Sequence, residues 1–475
     1  MPESTNNVAT TCLAYNTMAQ RWVLLHDLMG GTQAMRNAGA TWLPKETDEK
    51  AANYQNRLAR SILFGALGDT IEKLASKPFT KPVTLQGQFP DQLVGIEQDV
   101  DGLGTSLTQF GKDLFVACVT YGLAHVLVDY PQTPADVDLG TERQLALRPR
   151  FILVTPPNLI GWTTSKDDGG TLKLTSVRIR ETETRTDGPY GQKLVNLIRV
   201  YNEATWELWE QIGKDWICTT SGAHSFPGIP LATCYFTQDG FMTATPPLED
   251  LAWLNLAHWQ SMSDQRNILR FTRFALLFGK GFTKAEVDKG LALGPNQLIS
   301  STSIEADLKY VEHSGAAIAA GERDLKSLEE RMEMLGMQPL IRQSGDVKAT
   351  GQAIAESKSQ SQIQAWIRNE EAALRQAFVM AAMWVKQKLS GDFKIDVFSD
   401  FSIAMGASNE TDQLLRACQA GKISDATYLM EVRRRGLLSE TLNTDEEQDR
   451  IKAQGPTLAG IGFGGDAADN AGAGA

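Results

Sequence analysis

The chain is poor in the residues on which most hydrolases and metal proteins depend. It has five histidines and five cysteines in 475 residues. The cysteines (Cys12, Cys118, Cys218, Cys234, Cys418) stand far apart, no two of them at metal-ligand spacing. Their odd number also excludes a pure disulfide framework. Reduced, mostly buried thiols are expected, because a free cysteine packs as a small hydrophobe. The histidines (His26, His125, His224, His258, His313) form no HExxH and no other paired spacing, so the zinc-hydrolase signature is missing. His258 falls among Leu254, Leu256 and Trp259. It reads as a packed structural histidine rather than a ligand, since ligands come with partners at matching spacing.

Phosphate-binding loops are missing too. A P-loop needs GxxxxGK[ST], in which backbone N–H groups cradle phosphates and the hydroxyl holds magnesium. Gly111-Lys112, Gly213-Lys214, Gly279-Lys280 and Gly421-Lys422 are followed by Asp113, Asp215, Gly281 and Ile423. None fits. Gly102-Leu103-Gly104 lacks the third glycine of a dinucleotide fingerprint, and there is no GxSxG elbow. Asp99-Val100-Asp101-Gly102 has the start of a cation loop but no later ligands or terminal Glu, and reads as a turn leading into a helix. No enzyme activity, metal or cofactor is expected.

Long apolar runs are also absent. Phe271–Phe282 and Phe378–Val385 are short or interrupted by Arg and Lys, so no bilayer span and no membrane partner is expected. Residues 1–7 have neither a basic nor an apolar region, which argues against a secretion signal. Positive charge is in deficit: the net charge is -11 and the pI near 5.2. Tight DNA binding is normally driven by phosphate neutralisation, so this chain can guide DNA but should not grip it. The one dense basic run is Arg433-Arg434-Arg435. It reads first as a solvated helix end, where cations favour the dipole, and second as a DNA phosphate contact.

What is present is a change of periodicity along the chain. Tyr15, Met18, Trp22, Leu25 and Met29 recur at three- and four-residue steps, which predicts a helix broken at Gly30-Gly31. A second segment is expected over 34–43 and a third from Tyr54 toward Pro78. A helix follows Asp101–Ser106 and ends at Gly122, and Ala124–Tyr130 reads as a buried strand stopped by Pro131. From Arg150 to Phe236 the period is two, with turns at Asp167–Gly170 and Asp187-Gly188-Pro189, which predicts an antiparallel meander. Thr245-Pro246-Pro247-Leu248-Glu249-Asp250 is a strong helix start, with Thr245 as cap. That helix is expected to reach about Phe278, a length of about 50 Å at ~1.5 Å per residue. A small αβ insert then precedes a second long helix over 316–335. A Gly-punctuated loop leads to a third helix, ending near Leu389 with Ile363, Ile367, Leu374, Phe378, Ala381 and Val385 on one stripe. A strand (393–398) and short helices (410–420, 425–434) come next, and helical pattern returns over 446–452. The Gly- and Ala-rich tail is expected to be disordered.

Taken in order, these pieces resemble the portal proteins of tailed bacteriophages. The local sequence that carries the resemblance includes Tyr15…Trp22…Asp27–Arg36, Tyr54…Arg57-Leu58…Arg60-Ser61, Asp101–Leu107 and Val126–Pro131. Tyr310–Gly315, Leu325…Leu335-Gly336 and Ala349-Thr350-Gly351 before the last long helix carry it further. The resemblance covers about residues 10 to 450. It implies an α+β portal fold: a wing over 1–245, a first stem helix over 246–281, a clip over 282–312 and a second stem helix over 313–337. A tunnel loop and tunnel helix (338–390), a wing return strand (391–408), a helical crown (409–454) and the tail (455–475) complete it.

The resemblance also implies a role. Portals form rings of about twelve subunits at one capsid vertex, where DNA is packaged and ejected. The implied partners are other copies of the chain, double-stranded DNA held non-specifically, the terminase large subunit, a head–tail adaptor, and major capsid and scaffolding proteins. The implied location is the virion, after assembly in the host cytoplasm. A mobile tunnel loop would put Arg342, Gln343, Ser344, Asp346 and Lys348 toward DNA, and Gly345 and the mixed charges make its contacts transient. The clip would present Lys284, Glu286, Asp288, Lys289 and Asn296 to terminase or adaptor. Arg433, Arg434 and Arg435 would be the crown's DNA contact. About twelve copies would carry a charge of roughly -130, a field that keeps DNA sliding. A minor capsid or adaptor protein is the alternative, and a nucleic-acid enzyme a more distant one.

Overall fold

The computed structural model describes residues 7–88, 90–131, 147–273, 276–284, 303–311, 316–336, 349–399 and 412–434, with single positions at 438 and 450. The architecture is α+β, with two compact units, Met1–Ser399 and Asp400–Ala475.

The first element shows why the chain opens with helices. α1 (Leu13–Met29) buries Met18, Trp22, Leu24, Leu25 and Leu28, one stripe at helical steps. Gly31 at φ 71 turns the chain directly into α2 (Gly31–Ala38), so the second segment begins earlier than its apolar residues suggest. The single helix expected from Tyr54 to Pro78 is two. α3 (Ala51–Arg60) stops where Ser61 becomes extended, and α4 (Ala66–Ser76) begins after Gly65. Tertiary contacts take over the backbone groups of this break. The Asn255 carbonyl accepts from Leu67 N at 3.1 Å, and its amide donates to Phe64 O at 2.7 Å.

β1 (Thr84–Gln86) is short. α5 (Leu107–Tyr121) is capped by Ser106, whose hydroxyl accepts from Gln109 N at 3.2 Å, and ends at Gly122 in the left-handed region at φ 86. Before it, the Asp99 carboxylate accepts from Gly102 N at 2.8 Å and Gly104 N at 2.9 Å and pairs with Arg148. The loop is thus a carboxylate-held turn. β2 (Leu123–Asp129) is buried in all but its last residue, as its unbroken apolar run requires.

β3 (Arg150–Val154), β4 (Leu159–Lys166), β5 (Leu172–Asp187), β6 (Gly191–Asn202), β7 (Thr205–Ile212), β8 (Asp215–Ala223) and β9 (Leu231–Tyr235) follow. They do not form one meander. β4 to β8 make a five-stranded antiparallel sheet in sequence order, while β3 and β9 flank β2 in a three-stranded sheet. Strand period alone cannot separate them, because both ends of the stretch alternate in the same way. β10 (Gln238–Gly240) and β11 (Thr243–Ala244) form a small hairpin.

α6 (Glu249–Arg273) is shorter than expected, at 25 residues or about 37 Å. Leu276–Phe278, read as the end of this helix, lies in β12 (Leu276–Lys280), which pairs antiparallel with β13 (Asp307–Val311). Thr245 is not a free cap: its hydroxyl donates to Asp239 at 2.6 Å and accepts from Arg21 at 2.8 Å. α7 (Ala316–Gly336) matches the second long helix. α8 (Ala349–Trp384) runs 36 residues, so Gly351 lies inside it rather than in a loop, and it ends before Leu389. β14 (Lys394–Asp396) closes onto β1. The second unit contains α9 (412–419) and α10 (Asp425–Arg434). Residues 446–449, 451–452 and 455–475 lie outside the described residues.

The three-stranded sheet is covered by α8 through an aromatic seam. Trp366 stacks on Phe236 with centroids 5.1 Å apart, Phe378 meets Phe151 edge-on at 5.1 Å, and Trp384 stacks on Tyr130 at 5.8 Å. The Trp384 indole donates to Val128 O at 2.8 Å, which fixes the end of α8 on the central strand. Two of the five cysteines, Cys118 and Cys234, are buried, Cys218 is exposed, and Cys12 and Cys418 are half-buried. The expectation of mostly buried thiols therefore fails for three of them.

Candidate functional site

α6 and α7 form an antiparallel hairpin. Its contacts run in strict order: as the chain climbs α6, its partners descend α7. Leu251 lies by Gly336, His258 Nε2 by Glu329 at 3.3 Å, Ser261 donates to Asp324 at 2.7 Å, and Gln265 donates to Ile318 O at 3.0 Å. Leu325, Leu328 and Met332 supply the apolar side. Gly321 lets Gln265 approach, since a Cβ there would stand 2.0 Å from Gln265 Oε1. His258 is fully buried and lies 5.1 Å from the Phe64 ring, a packed histidine as its neighbours in sequence suggested. No cluster of three or more metal-ligating side chains occurs among the described residues. No helix among them is long and apolar enough to cross a membrane.

The β12–β13 ribbon continues the hairpin beyond its helices, in register from Leu276 opposite Val311 to Lys280 opposite Asp307. Gly281, at φ 75, turns the chain at its far end, where a Cβ would stand 2.8 Å from Glu305 O. Lys284 is exposed just beyond that turn. Glu286, Asp288, Lys289 and Asn296 lie outside the described residues, as do Arg342, Gln343, Ser344, Asp346 and Lys348. Arg433 and Arg434 end α10 in the second unit, and Arg435 is outside the described residues.

Two groups near this frame escaped sequence reasoning. Glu370 on α8 is fully buried, and neither carboxyl oxygen has a hydrogen-bond partner among the described residues. Burial pushes its carboxyl well above the usual range, helped by Cys234 and Glu371. The signal was there: Glu370 falls on the stripe of Ile363, Ile367 and Leu374. His125 on β2 is also fully buried, and burial lowers it to about 3. Its Nδ1 lies 3.0 Å from the Thr233 hydroxyl.

A family profile described as a domain of unknown function (DUF4055) matches residues 247–385, from the head of α6 to just past α8. No curated protein matches the chain. Among solved structures, the chain is similar to a component of the virion of a native gene transfer agent particle. That alignment has 10% identity and a TM-score of 0.44, over 78% of this chain and 89% of that one. It is also similar to a component of the neck of the empty particle computed with C6 symmetry, at 10% identity and TM-score 0.45, over 78% and 90%. A component of the native neck computed with C12 symmetry aligns at 13% identity and TM-score 0.42, over 85% and 98%. Alignments this loose do not establish a shared fold.

Proposed function

We propose that the chain is the subunit of a portal ring, a non-catalytic conduit for double-stranded DNA at one vertex of a phage-like capsid. The observation that carries this reading is the order of elements: a 25-residue helix, a two-stranded ribbon, a 21-residue return helix, then a 36-residue helix lying on the body's sheet. A stem hairpin with a clip at its tip, followed by a tunnel helix, has this order, and the sequence motifs resemble portals on both sides of it. The ribbon tip, with Lys284 exposed beside it, would dock the packaging motor and later the adaptor. The acidic balance of -11 suits a wall past which DNA slides. Negative-stain images of the purified chain test the reading: rings with a central hole are expected, and particles that remain monomers under assembly conditions would sink it. A minor capsid or adaptor protein would have no need of the hairpin and the long following helix.

A further inference from the structure

One groove of this acidic chain is lined by five arginines. A cavity of about 820 Å³ between the end of α3 and the distal half of α6 is lined by Arg36, Arg57, Arg60, Arg266 and Arg270, with Ile62 and Leu269 among its apolar walls. Two of these arginines are already engaged. Arg57 is buried and pairs with Glu49 at 2.9 Å and with Asp264 at 3.8 Å, and Arg36 donates to Ser61 O at 3.0 Å. Arg60, Arg266 and Arg270 are exposed and have no ion pair among the described residues. Arg266 and Arg270 are one helical turn apart, so they repel each other until an anion arrives.

The opposite charge lies on the same helix, at Asp264, a carboxylate that Arg57 also reaches. Asp264 is two-thirds exposed, with 66% of its side chain accessible. Partial burial raises its carboxyl above the usual range, Arg57 opposes this, and Glu46 and Glu49 add to it. At 3.6 residues per turn, Asp264 points about 160° from Arg266 and about 120° from Arg270 around the α6 axis. In a closed ring of about twelve copies, the two contact faces of each subunit stand about 150° apart.

We infer that the arginine groove receives the Asp264–Glu46 face of a second copy, which makes a head-to-tail contact that repeats around the ring. This inference rests on the ring reading above and adds to it the faces that meet. Guanidinium groups suit carboxylates because they can bind them in parallel pairs. Ile62, 47% exposed, would gain from an apolar neighbour, which a protein surface offers and a phosphate backbone does not. The groove also offers no aromatic ring for a base to stack on.

The test uses the full chain in three forms: wild type, R266E/R270E, and E46K/D264K. All substituted positions are exposed, and thermal melts check that each variant stays folded. Assembly is read by mass photometry across a dilution series. For each double variant alone, the concentration needed for half-assembly should rise by at least about tenfold, the effect of losing ~1.4 kcal/mol per contact. Mixing the two variants should restore rings, because every interface in an alternating ring is again complementary. If wild type forms rings and the variants form them equally well, the inference falls while the ring reading stands. If the mixture fails to assemble, the faces do not meet as stated and the inference falls. An R266E/R270E chain that assembles normally but loses binding of a double-stranded DNA probe makes the groove a phosphate site and also overturns it. A monomeric wild type overturns both readings.

Discussion

Replacing Glu370 should make the protein more stable, and the gain should grow with pH. The folded chain holds this carboxyl at zero exposure with both oxygens unpartnered among the described residues, near Cys118, Cys234 and Gly111. A buried carboxylate there would be uncompensated, so the folded chain keeps the proton. The unfolded chain releases it near 4.5, the ordinary value for a glutamate. Between that pH and the raised folded value, the native state binds more protons than the unfolded state, so stability falls as pH rises. The slope is at most ~1.4 kcal/mol per pH unit. His125 works in the opposite direction. Its folded value of about 3 lies below the 6.5 of an ordinary histidine, so its contribution is present above 6.5 and is lost as pH falls from there toward about 3. Above 6.5, Glu370 is therefore the cleaner of the two signals. Glu370→Gln keeps the shape and removes the titration, so it should flatten the pH slope. Glu370→Met also removes the unsatisfied polar atoms and should add about 1–3 kcal/mol. Urea midpoints at fixed protein concentration, from about pH 6.5 to 8.5, measure both. The reasoning fails if the wild-type slope survives in Glu370→Gln, or if Glu370→Met is less stable than wild type at alkaline pH.

Three further outcomes are expected. Gly122→Ala should destabilise by at least about 2 kcal/mol, since Gly122 sits at φ 86 and a Cβ would stand 2.4 Å from the Thr245 carbonyl oxygen; a thermal melt reads this. Gly321→Val should push α7 off Gln265 and lower protection of the hairpin amides in hydrogen exchange, while the β4–β8 sheet keeps its protection. Ser106→Ala should cost about 1 kcal/mol in urea by removing the cap on α5.

Much of the helical frame was legible in advance, because a buried helical face must repeat at three and four residues. α1, α5, α7 and α10 lie where the sequence was read as helical. Chain reversals were legible where a glycine must adopt positive φ, as at Gly122. The buried run of β2 marked a central strand. The clip and tunnel residues were selected through the resemblance, and Arg433–Arg435 first as the one dense basic run; apart from Lys284 and the end of α10, they fall outside the described residues.

Tertiary structure decided the rest, for reasons local pattern cannot contain. Leu276–Phe278 continues a helical stripe in sequence but becomes strand, because Lys309, Tyr310 and Val311 lie opposite to bond its backbone. The α3–α4 break follows from Asn255 and Ser263, which are distant in the chain. Glu370 occupies a core position of α8 that its neighbours in sequence mark as apolar, and only the folded surroundings leave it unpartnered among the described residues. The arginine groove joins Arg60 to Arg266 and Arg270 across two hundred residues of sequence, so its charge exists only once α3 lies against α6. Sequence by itself set which faces are apolar and where the chain must turn. Which face met which was settled by long-range contacts, because hydrogen-bond partners and burial are properties of the folded neighbourhood and not of the residue.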